Sequence, residues 1–378
     1  MENFFNAIGV ADMEKVHSAI IGWILSDKCK AFDIGKKSNL LCRLFNIRPS
    51  RIFKKIVVQV EVYNIDILIE TEDCGGKQEV WIIENKVKSN QHSDQLDKYV
   101  NIIKGVELTK AKNPICPEYK NISEENQHYC FLTLIKEKPQ GKYKNKWDNC
   151  LYCQFKRFLE DLLQPKNSHV HSKILDEYLN CINVMTSALS DFLQNHKNYP
   201  HVFSDGSKKK VEKKYVEIGK DTGQYASYIA ECGLETIFQK CFLSTIIPET
   251  KYGKLSYLIS DSHGVALVDF RYDKVNNTCL GAQFQNGSFK VQVLEEGCDG
   301  MEFHKKWEKI QTDSQTIFNG WSAHRSHENK KPYISFTNKT LNDPQWYRNN
   351  KYKIIQTWEN AYDECVPMLK KIEDLLKR

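Results

Sequence analysis

The chain has 378 residues, of which 41% are hydrophobic and 27% charged, an ordinary composition for a globular protein of about two domains. No stretch reaches the about 18 uncharged apolar residues of a membrane helix, and the first residues lack the blocks of a signal peptide, so the sequence predicts a cytoplasmic protein without a membrane partner. The formal charge of +6 permits a polyanionic partner without requiring one, and the thirteen cysteines are expected as reduced thiols.

The first half of the chain alternates helical and extended patterns. Residues 12–27 predict a helix because apolar side chains recur there at helical spacing, with Asp12 as its N-cap. A polar turn at 73–77 separates the second and third of three β-branched runs, which indicates an antiparallel meander. The predicted elements after the first helix are a short helix at 40–45, strands at 56–62, 65–70 and 79–87, a helix from Ser93 to Gly105, a strand at 128–135, and two helices within 151–195 broken near Pro165.

The lysine-rich stretch 207–214 is the predicted boundary between two domains, residues 1–200 and 208–378. The second part is predicted to be an α+β domain that serves substrate recognition or oligomerisation. Its predicted elements are a helix at 225–242, strands at 255–259, 266–272, 281–284 and 289–293, and a final amphipathic helix at 353–376.

The residues that point to chemistry are Asp66, Glu84 and Lys86. Side chains alternate along a strand, so Glu84 and Lys86 share one face while Asn85 points to the other. The hairpin lets Asp66 face the same pair from the neighbouring strand. Two carboxylates a few ångströms apart repel by roughly 4 kcal/mol at an effective dielectric of about 20, which favours a cation between them, and Mg²⁺ is the natural candidate.

The alternative is a solvated ion pair, because Glu-x-Lys alone is a common pattern. Its context argues against this reading. Glu84 follows the apolar run 80–83, and Asp66 lies within the apolar run 65–69, where an unpaired carboxylate would be costly. Gln95 and Tyr99 lie four residues apart on the following helix and so share a face, although Tyr99 also suits core packing with Leu96.

Together these residues resemble a known family. Asp66, the run Ile83-Glu-Asn-Lys-Val87 and the run Gln95-Leu-Asp-Lys-Tyr99 look like the motifs of the PD-(D/E)XK nuclease superfamily, including the Gln-x-x-x-Tyr motif of its RecB-like branch. The helix that begins near Glu14 is similar to that of a bacterial subgroup of largely unassigned biology. The resemblance covers roughly residues 1–165. Ile65 replaces the proline of the family name, and Asn64 stands where the subgroup often has an arginine.

The resemblance implies an α/β fold with a restriction-endonuclease-like αβββαβ core and a mixed sheet. It also implies a Mg²⁺- or Mn²⁺-dependent nuclease that acts on nucleic acid, with DNA expected, as a homodimer where both strands are cut, in bacterial or phage genome defence. The implied site residues are Asp66 and Glu84 as metal ligands, the Asn85 carbonyl in the metal shell, Lys86 beside the attacking water, Glu14 near the metal, and Gln95 and Tyr99 steadying the lysine or contacting phosphate.

Two other functions stay open at this point: a catalytically inactive binding protein on the same fold, and an RNA-directed nuclease. Cys150 and Cys153 have the spacing of half a zinc site or of a cluster site, but plain packing is expected because no second pair follows. His17 either lines the active site or bonds a neighbouring backbone group. The basic and aromatic stretches 330–333 and 345–348 suit nucleic-acid contact or ordinary surface loops.

Overall fold

The computed structural model describes residues 3–89, 94–106, 119, 121–163, 170–203, 219–249, 257–262, 264–275, 277–295, 297–313, 319–325 and 331–377. The chain divides into two compact units, Met1–Ser190 and Asp191–Arg378. Within the described ranges, no helix is both long enough and apolar enough to cross a membrane. The predicted boundary at 207–214 and the predicted N-cap Ser93 lie outside the described residues.

The first unit is built on a five-stranded mixed sheet in the order β1-β2-β3-β4-β5. The neighbouring strands β1–β2 and β2–β3 are antiparallel, as predicted, whereas β4 and β5 run parallel to β3. The strands are β1 Phe53–Val62, β2 Ile65–Asp73, β3 Gln78–Lys86, β4 Gln127–Thr133 and β5 Trp147–Leu151.

Helices cover both faces of this sheet. The described helices of the unit are α1 Phe4–Ala7, α2 Glu14–Leu25, α3 Ile34–Leu44, α4 Gln95–Ile103, α5 Tyr152–Leu162 and α6 Val170–Asn195, of which α6 crosses the division between the units. α4 packs through Leu96, Tyr99 and Val100 into a buried core with Leu68 and Ile82 of the sheet. The even-numbered positions of β2 and β3 therefore face α4.

On the other face, α2 lies against β1 at Gly22. A Cβ atom at Gly22 would lie only 2.4 Å from Val60 Cγ2, so glycine permits this close approach. A two-residue turn joins β1 to β2, with positive φ at Tyr63 (54°) and Asn64 (60°), as in mirror-image hairpin turns. These contacts fix the end of the sheet at which Asp66 lies.

The second unit contains a six-stranded sheet in the order β10-β11-β9-β8-β7-β6, with antiparallel neighbours throughout. Trp358 and Tyr362 pack on its buried face, with ring centroids 4.1 Å from Phe284 and 5.7 Å from Phe270 respectively. The elements are α7 Ala226–Glu231, α8 Glu235–Ile246, β6 Tyr257–Ser262, β7 Val265–Val275, β8 Thr278–Gln285, β9 Ser288–Glu295, α9 Gly300–Asp313, β10 Ser322–Arg325, β11 Tyr333–Asn342 and α10 Lys351–Lys377.

Most predicted elements are present, and several predictions were wrong in detail. The predicted helix 225–242 is two helices because Gly233 has φ +63° between them. The helix predicted at 40–45 begins earlier, at Ile34, where Asp33 caps it. Asp12 is not the N-cap of α2; that position is Met13, and Asp12 pairs with Lys88 instead. Among the described helices and strands, five were not predicted: α1, β5, α9, β10 and β11.

Candidate active site

Asp66 and Glu84 stand opposite each other on neighbouring strands. The last paired residues of β2 and β3 are Ile67 and Ile83, so the next pair in the same register is Asp66 with Glu84. Directly opposed residues of an antiparallel pair share a face. The Asn85 backbone N–H donates to Asp66 Oδ2 at 2.8 Å, which orients the aspartate toward β3. The structure thus brings together the two acids that the sequence singled out.

Glu84 is fully buried, with 0% of its surface exposed. Neither of its carboxylate oxygens meets the angular criterion of a hydrogen bond to a described residue, although the Lys86 and Tyr99 side chains lie close enough to lower its pKa. Its close neighbour is Lys86, 8% exposed, whose Nζ lies 2.6 Å from Glu84 Oε1. A buried carboxylate with hydrogen-bonding capacity left over is costly unless another group completes its coordination.

The pKa values of both acids are raised. Burial, and then the charge of Glu84, raise the pKa of Asp66 to about 7, against the lowering effect of the Asn85 N–H. Burial also raises the pKa of Glu84, although the Lys86 ammonium opposes it. For Lys86, burial favours the neutral amine, but the nearby carboxylates outweigh burial and raise its pKa. Lys86 is therefore a cation at neutral pH.

These residues fit a hard divalent cation. An ion between the carboxylates would offset their repulsion and use the coordination capacity that Glu84 retains beside the Lys86 ammonium. No group of three or more His, Cys, Asp or Glu side chains that could hold a metal occurs among the described residues. Mg²⁺ does not require one, since it commonly takes one or two carboxylates and keeps several waters.

Glu14 was also expected near the metal. Its carboxylate accepts hydrogen bonds from the residues that directly follow β3. Its Oε1 accepts the backbone N–H groups of Val87, Lys88 and Ser89 at 2.8, 3.0 and 2.9 Å. The Ser89 hydroxyl adds bonds of 2.9 and 2.6 Å to the two oxygens. Burial opposes ionisation of Glu14, but these bonds and the Lys86 charge prevail and lower its pKa.

The Asn85 side chain points to the opposite face of the sheet, as alternation predicts. Its Nδ2 donates to the Glu14 carbonyl at 2.9 Å and to Ser18 Oγ at 3.1 Å, and its Oδ1 accepts from the Tyr152 hydroxyl at 2.6 Å. Sequence reasoning missed Ser18, Ser89 and Tyr152, since nothing in their local pattern indicates contact with a distant strand.

His17 lies in the same buried layer and has both ring nitrogens engaged. Nε2 is 2.9 Å from the Ala11 carbonyl, and Nδ1 is 3.0 Å from the Tyr178 hydroxyl. Because a carbonyl only accepts, Nε2 carries the proton and Nδ1 accepts from Tyr178. Burial lowers the pKa of His17, which keeps it neutral. Of its two sequence interpretations, backbone hydrogen bonding is the one the structure shows.

Gln95 and Tyr99 connect α4 to the β1–β2 turn. Gln95 Nε2 donates to the Tyr99 hydroxyl at 3.0 Å, and that hydroxyl donates to the Asn64 carbonyl at 2.6 Å. Burial, followed by the charges of Glu84 and Asp66, raises the pKa of Tyr99, so the phenol stays protonated beside the two acids. The Tyr99 ring also packs in the hydrophobic core beside Leu96, as the alternative interpretation of the sequence predicted.

The comparisons with known proteins bear on this arrangement. The model of the PD-(D/E)XK nuclease superfamily matches residues 2–180, a range that includes all five strands of the first sheet. This part of the chain belongs to the PD-(D/E)XK nuclease superfamily. No curated protein and no solved structure matches the chain. Membership of the PD-(D/E)XK superfamily implies a metal-dependent nuclease that cleaves phosphodiester bonds with divalent ions such as Mg²⁺ or Mn²⁺.

The other candidate motifs lie outside this PD-(D/E)XK site. Cys150 is buried in β5 and Cys153 is exposed, so the pair does not point to a common site. Trp346 and Tyr347 are buried in the second unit, where Tyr347 stacks on Phe203 at 4.7 Å. These two rings are core residues, and neither the nucleic-acid reading nor the surface-loop reading of 345–348 describes them. The lysines 208–214 and Lys330 lie outside the described residues.

Proposed function

We propose that the first unit hydrolyses phosphodiester bonds in DNA with a Mg²⁺ or Mn²⁺ ion held by Asp66 and Glu84. The observation that supports this most directly is the fully buried Glu84 carboxylate, which is paired with the Lys86 ammonium, has hydrogen-bonding capacity left over and stands opposite a second acid whose pKa is raised. A purely structural acid in such a place would be expected to have its oxygens hydrogen-bonded.

Each group of the chain has a role in this proposal. Asp66 and Glu84 hold the ion, with the Asn85 carbonyl as a further oxygen ligand. When bound, the ion lowers the pKa of a water molecule and offsets the charge that develops on the phosphate. Lys86, a cation beside Glu84, orients that water or donates to an anionic phosphate oxygen. Gln95 and Tyr99 keep the β1–β2 turn in place beside Asp66.

The order helix, β1–β3, α4, β4 is the basis for proposing a restriction-endonuclease-like αβββαβ core in the first unit. The second unit is then an accessory domain that contributes to substrate recognition. Cleavage of both DNA strands calls for two such sites, which a homodimer would supply. Genome defence in the cytoplasm of a bacterium, or in phage, is the setting that we propose by analogy with the family.

Cleavage assays test this function. Linear DNA, circular DNA and RNA are incubated with the chain and Mg²⁺, Mn²⁺ or EDTA. Asp66→Asn, Glu84→Gln and Lys86→Met should each lower the rate about 100-fold or more, because each removes a metal ligand or the adjacent cation. The matched control is Glu72→Gln, which removes the carboxylate of another lysine–acid pair on the same sheet, 2.8 Å from Lys54, and should leave the rate unchanged.

The outcomes separate the competing functions. Cleavage that survives both Asp66→Asn and Lys86→Met would refute the site. Binding of DNA without cleavage under any metal would favour the inactive binding protein. Cleavage of RNA alone would identify an RNA-directed enzyme, and conversion of circular to linear DNA would show cutting at internal positions.

A further inference from the structure

We infer that Glu14 is a positioning residue for Lys86 and not a ligand of the metal, an inference that rests on the proposed function of the Asp66, Glu84 and Lys86 site. Glu14 is the first residue of α2, and α2 contacts β3 on both sides of Lys86 in the sequence. Glu14 accepts hydrogen bonds from Asn85, Val87, Lys88 and Ser89, and we call this set of bonds the α2 clamp.

One half of the α2 clamp uses the Glu14 carboxylate. Three consecutive backbone N–H groups, from Val87 to Ser89, converge on Oε1 within 3.0 Å, and the Ser89 hydroxyl reaches both oxygens. Hydrogen bonds of this kind to a carboxylate are charge-assisted and are stronger than neutral ones. Oε1 already accepts three N–H groups, and the single Ser89 hydroxyl proton is directed to the nearer Oε2, so both Glu14 oxygens are engaged by the chain itself.

The other half uses the Glu14 backbone. Its carbonyl accepts from Asn85 Nδ2 at 2.9 Å, so the residue immediately before Lys86 is also held by α2. Asn85 is held further by Ser18 and Tyr152. Lys86 therefore lies between two neighbours that α2 holds, and its ammonium pairs with Glu84 on their common face of the strand, opposite to the Asn85 side chain.

The α2 clamp fixes the position of the backbone on both sides of Lys86. A catalytic group displaced by about 1 Å can lose about 100-fold in rate, and the end of a strand tends to fray unless its backbone groups have partners. In the described structure the Val87 and Lys88 N–H groups bond to Glu14 and not to a neighbouring strand. Removing the carboxylate therefore frees the backbone directly after Lys86.

The variants are chosen to distinguish positioning from metal ligation. Glu14→Ala should lower kcat by about 10- to 100-fold, leave KM within about threefold and leave Mn²⁺ affinity, measured by calorimetry, within about threefold. Glu14→Gln keeps an oxygen that accepts the same three N–H groups, so it should restore most of the rate. If Glu14 were a metal ligand, both substitutions would weaken Mn²⁺ binding by tenfold or more, in the range of about 10- to 100-fold.

A double-mutant cycle with Lys86 tests the inferred route. If Glu14 acts through Lys86, adding Glu14→Ala to Lys86→Ala should change the residual rate by less than about twofold, since coupled residues are not additive. Full multiplication of the two losses would overturn the inference. Amide hydrogen exchange gives a readout independent of activity: Glu14→Ala should remove protection from the amides of Val87, Lys88 and Ser89, and unchanged protection would also overturn it.

Asp97→Ala is the matched control. Asp97 is likewise a carboxylate on a helix that accepts two backbone N–H groups of a later loop, from Lys142 and Tyr143 at 2.8 and 2.9 Å. It should lower stability without lowering kcat. Should Glu14→Ala fail to fold, Ser89→Ala, which removes the hydroxyl that holds the Glu14 carboxylate, replaces it in the kinetic and calorimetric arms, and Glu14→Gln replaces it in the exchange arm, where it should weaken the protection of the three amides. An inactive wild-type chain refutes the proposed function, whereas an active one with multiplicative losses refutes only the positioning role.

Discussion

Asp66 differs from a surface aspartate because its proton is held more tightly. Burial and the adjacent Glu84 raise its pKa to about 7, whereas a solvated aspartate would be ionised far below neutral pH. The strand pattern identifies this residue as a candidate because a charged group within an apolar run needs a reason to be there. The size of the shift depends on how deeply the strand is covered, which the local pattern does not contain.

This shift predicts a pH dependence of metal binding. At pH 6 Asp66 is mostly protonated and at pH 8 mostly ionised, and only the ionised form is a good ligand, so the apparent Mn²⁺ affinity should rise between these values. The rise should be about tenfold per pH unit below the pKa and should level off above it. Calorimetry in two buffers of different ionisation enthalpy should show proton release at pH 6.5. Equal affinity at pH 6 and pH 8 would contradict this, and Asp66→Asn should flatten the dependence, leaving only the part due to Glu84, whose pKa burial also raises.

At the scale of elements, one hydroxyl connects α4 to the turn beside the acids. Tyr99 donates to the Asn64 carbonyl at 2.6 Å, and Asn64 itself has the positive φ that the turn requires. The helical spacing of Gln95 and Tyr99 predicted that they share a face. It did not predict their partner, because that contact joins residues 35 positions apart and depends on how α4 packs on the sheet.

Tyr99→Phe should lower the free energy of unfolding by about 1–2 kcal/mol, because it leaves the Asn64 carbonyl without its donor. It should also lower the cleavage rate, since the turn leads directly into Asp66. Tyr129→Phe is the control: Tyr129 is buried in the same core and donates to Gln127 at 3.0 Å, at the opposite end of its strand. Denaturant unfolding and initial rates measure both effects. Equal rate losses in the two variants would count against a specific role for Tyr99.

The elements that the sequence did not predict share a physical reason. β5 has only five residues, two of them the polar Asp148 and Asn149, and its strand character comes from parallel pairing with β4. The sequences of α9 and β11 themselves mix charged or polar and apolar side chains without a clear period. By contrast, β2 and β3 are long and apolar, so their existence and pairing were predicted correctly.

At the scale of the whole molecule, each unit has its own sheet and its own core. All the proposed metal ligands belong to the first. Saturating Mn²⁺ should therefore slow amide hydrogen exchange in β2 and β3 at pH 8, since a ligand that binds only the folded form stabilises it by mass action. Peptides from β7 to β9 should show no change. Equal protection in both sheets would show that the two units open together, and Glu84→Gln should remove the effect.

The close approach of α2 to β1 at Gly22 has a consequence for relatives of this chain. Gly22 lies eight residues, about 12 Å along the helix, from Glu14, and the atoms nearest to its Cβ position belong to Val60 and Val58. An added methyl group there would force the Val60 side chain or the helix to shift, and a shift of the helix would carry Glu14 with it. A relative with alanine at this position and an unchanged valine opposite would then retain every acid and the lysine and still be slow, so the presence of the signature residues alone does not predict full activity.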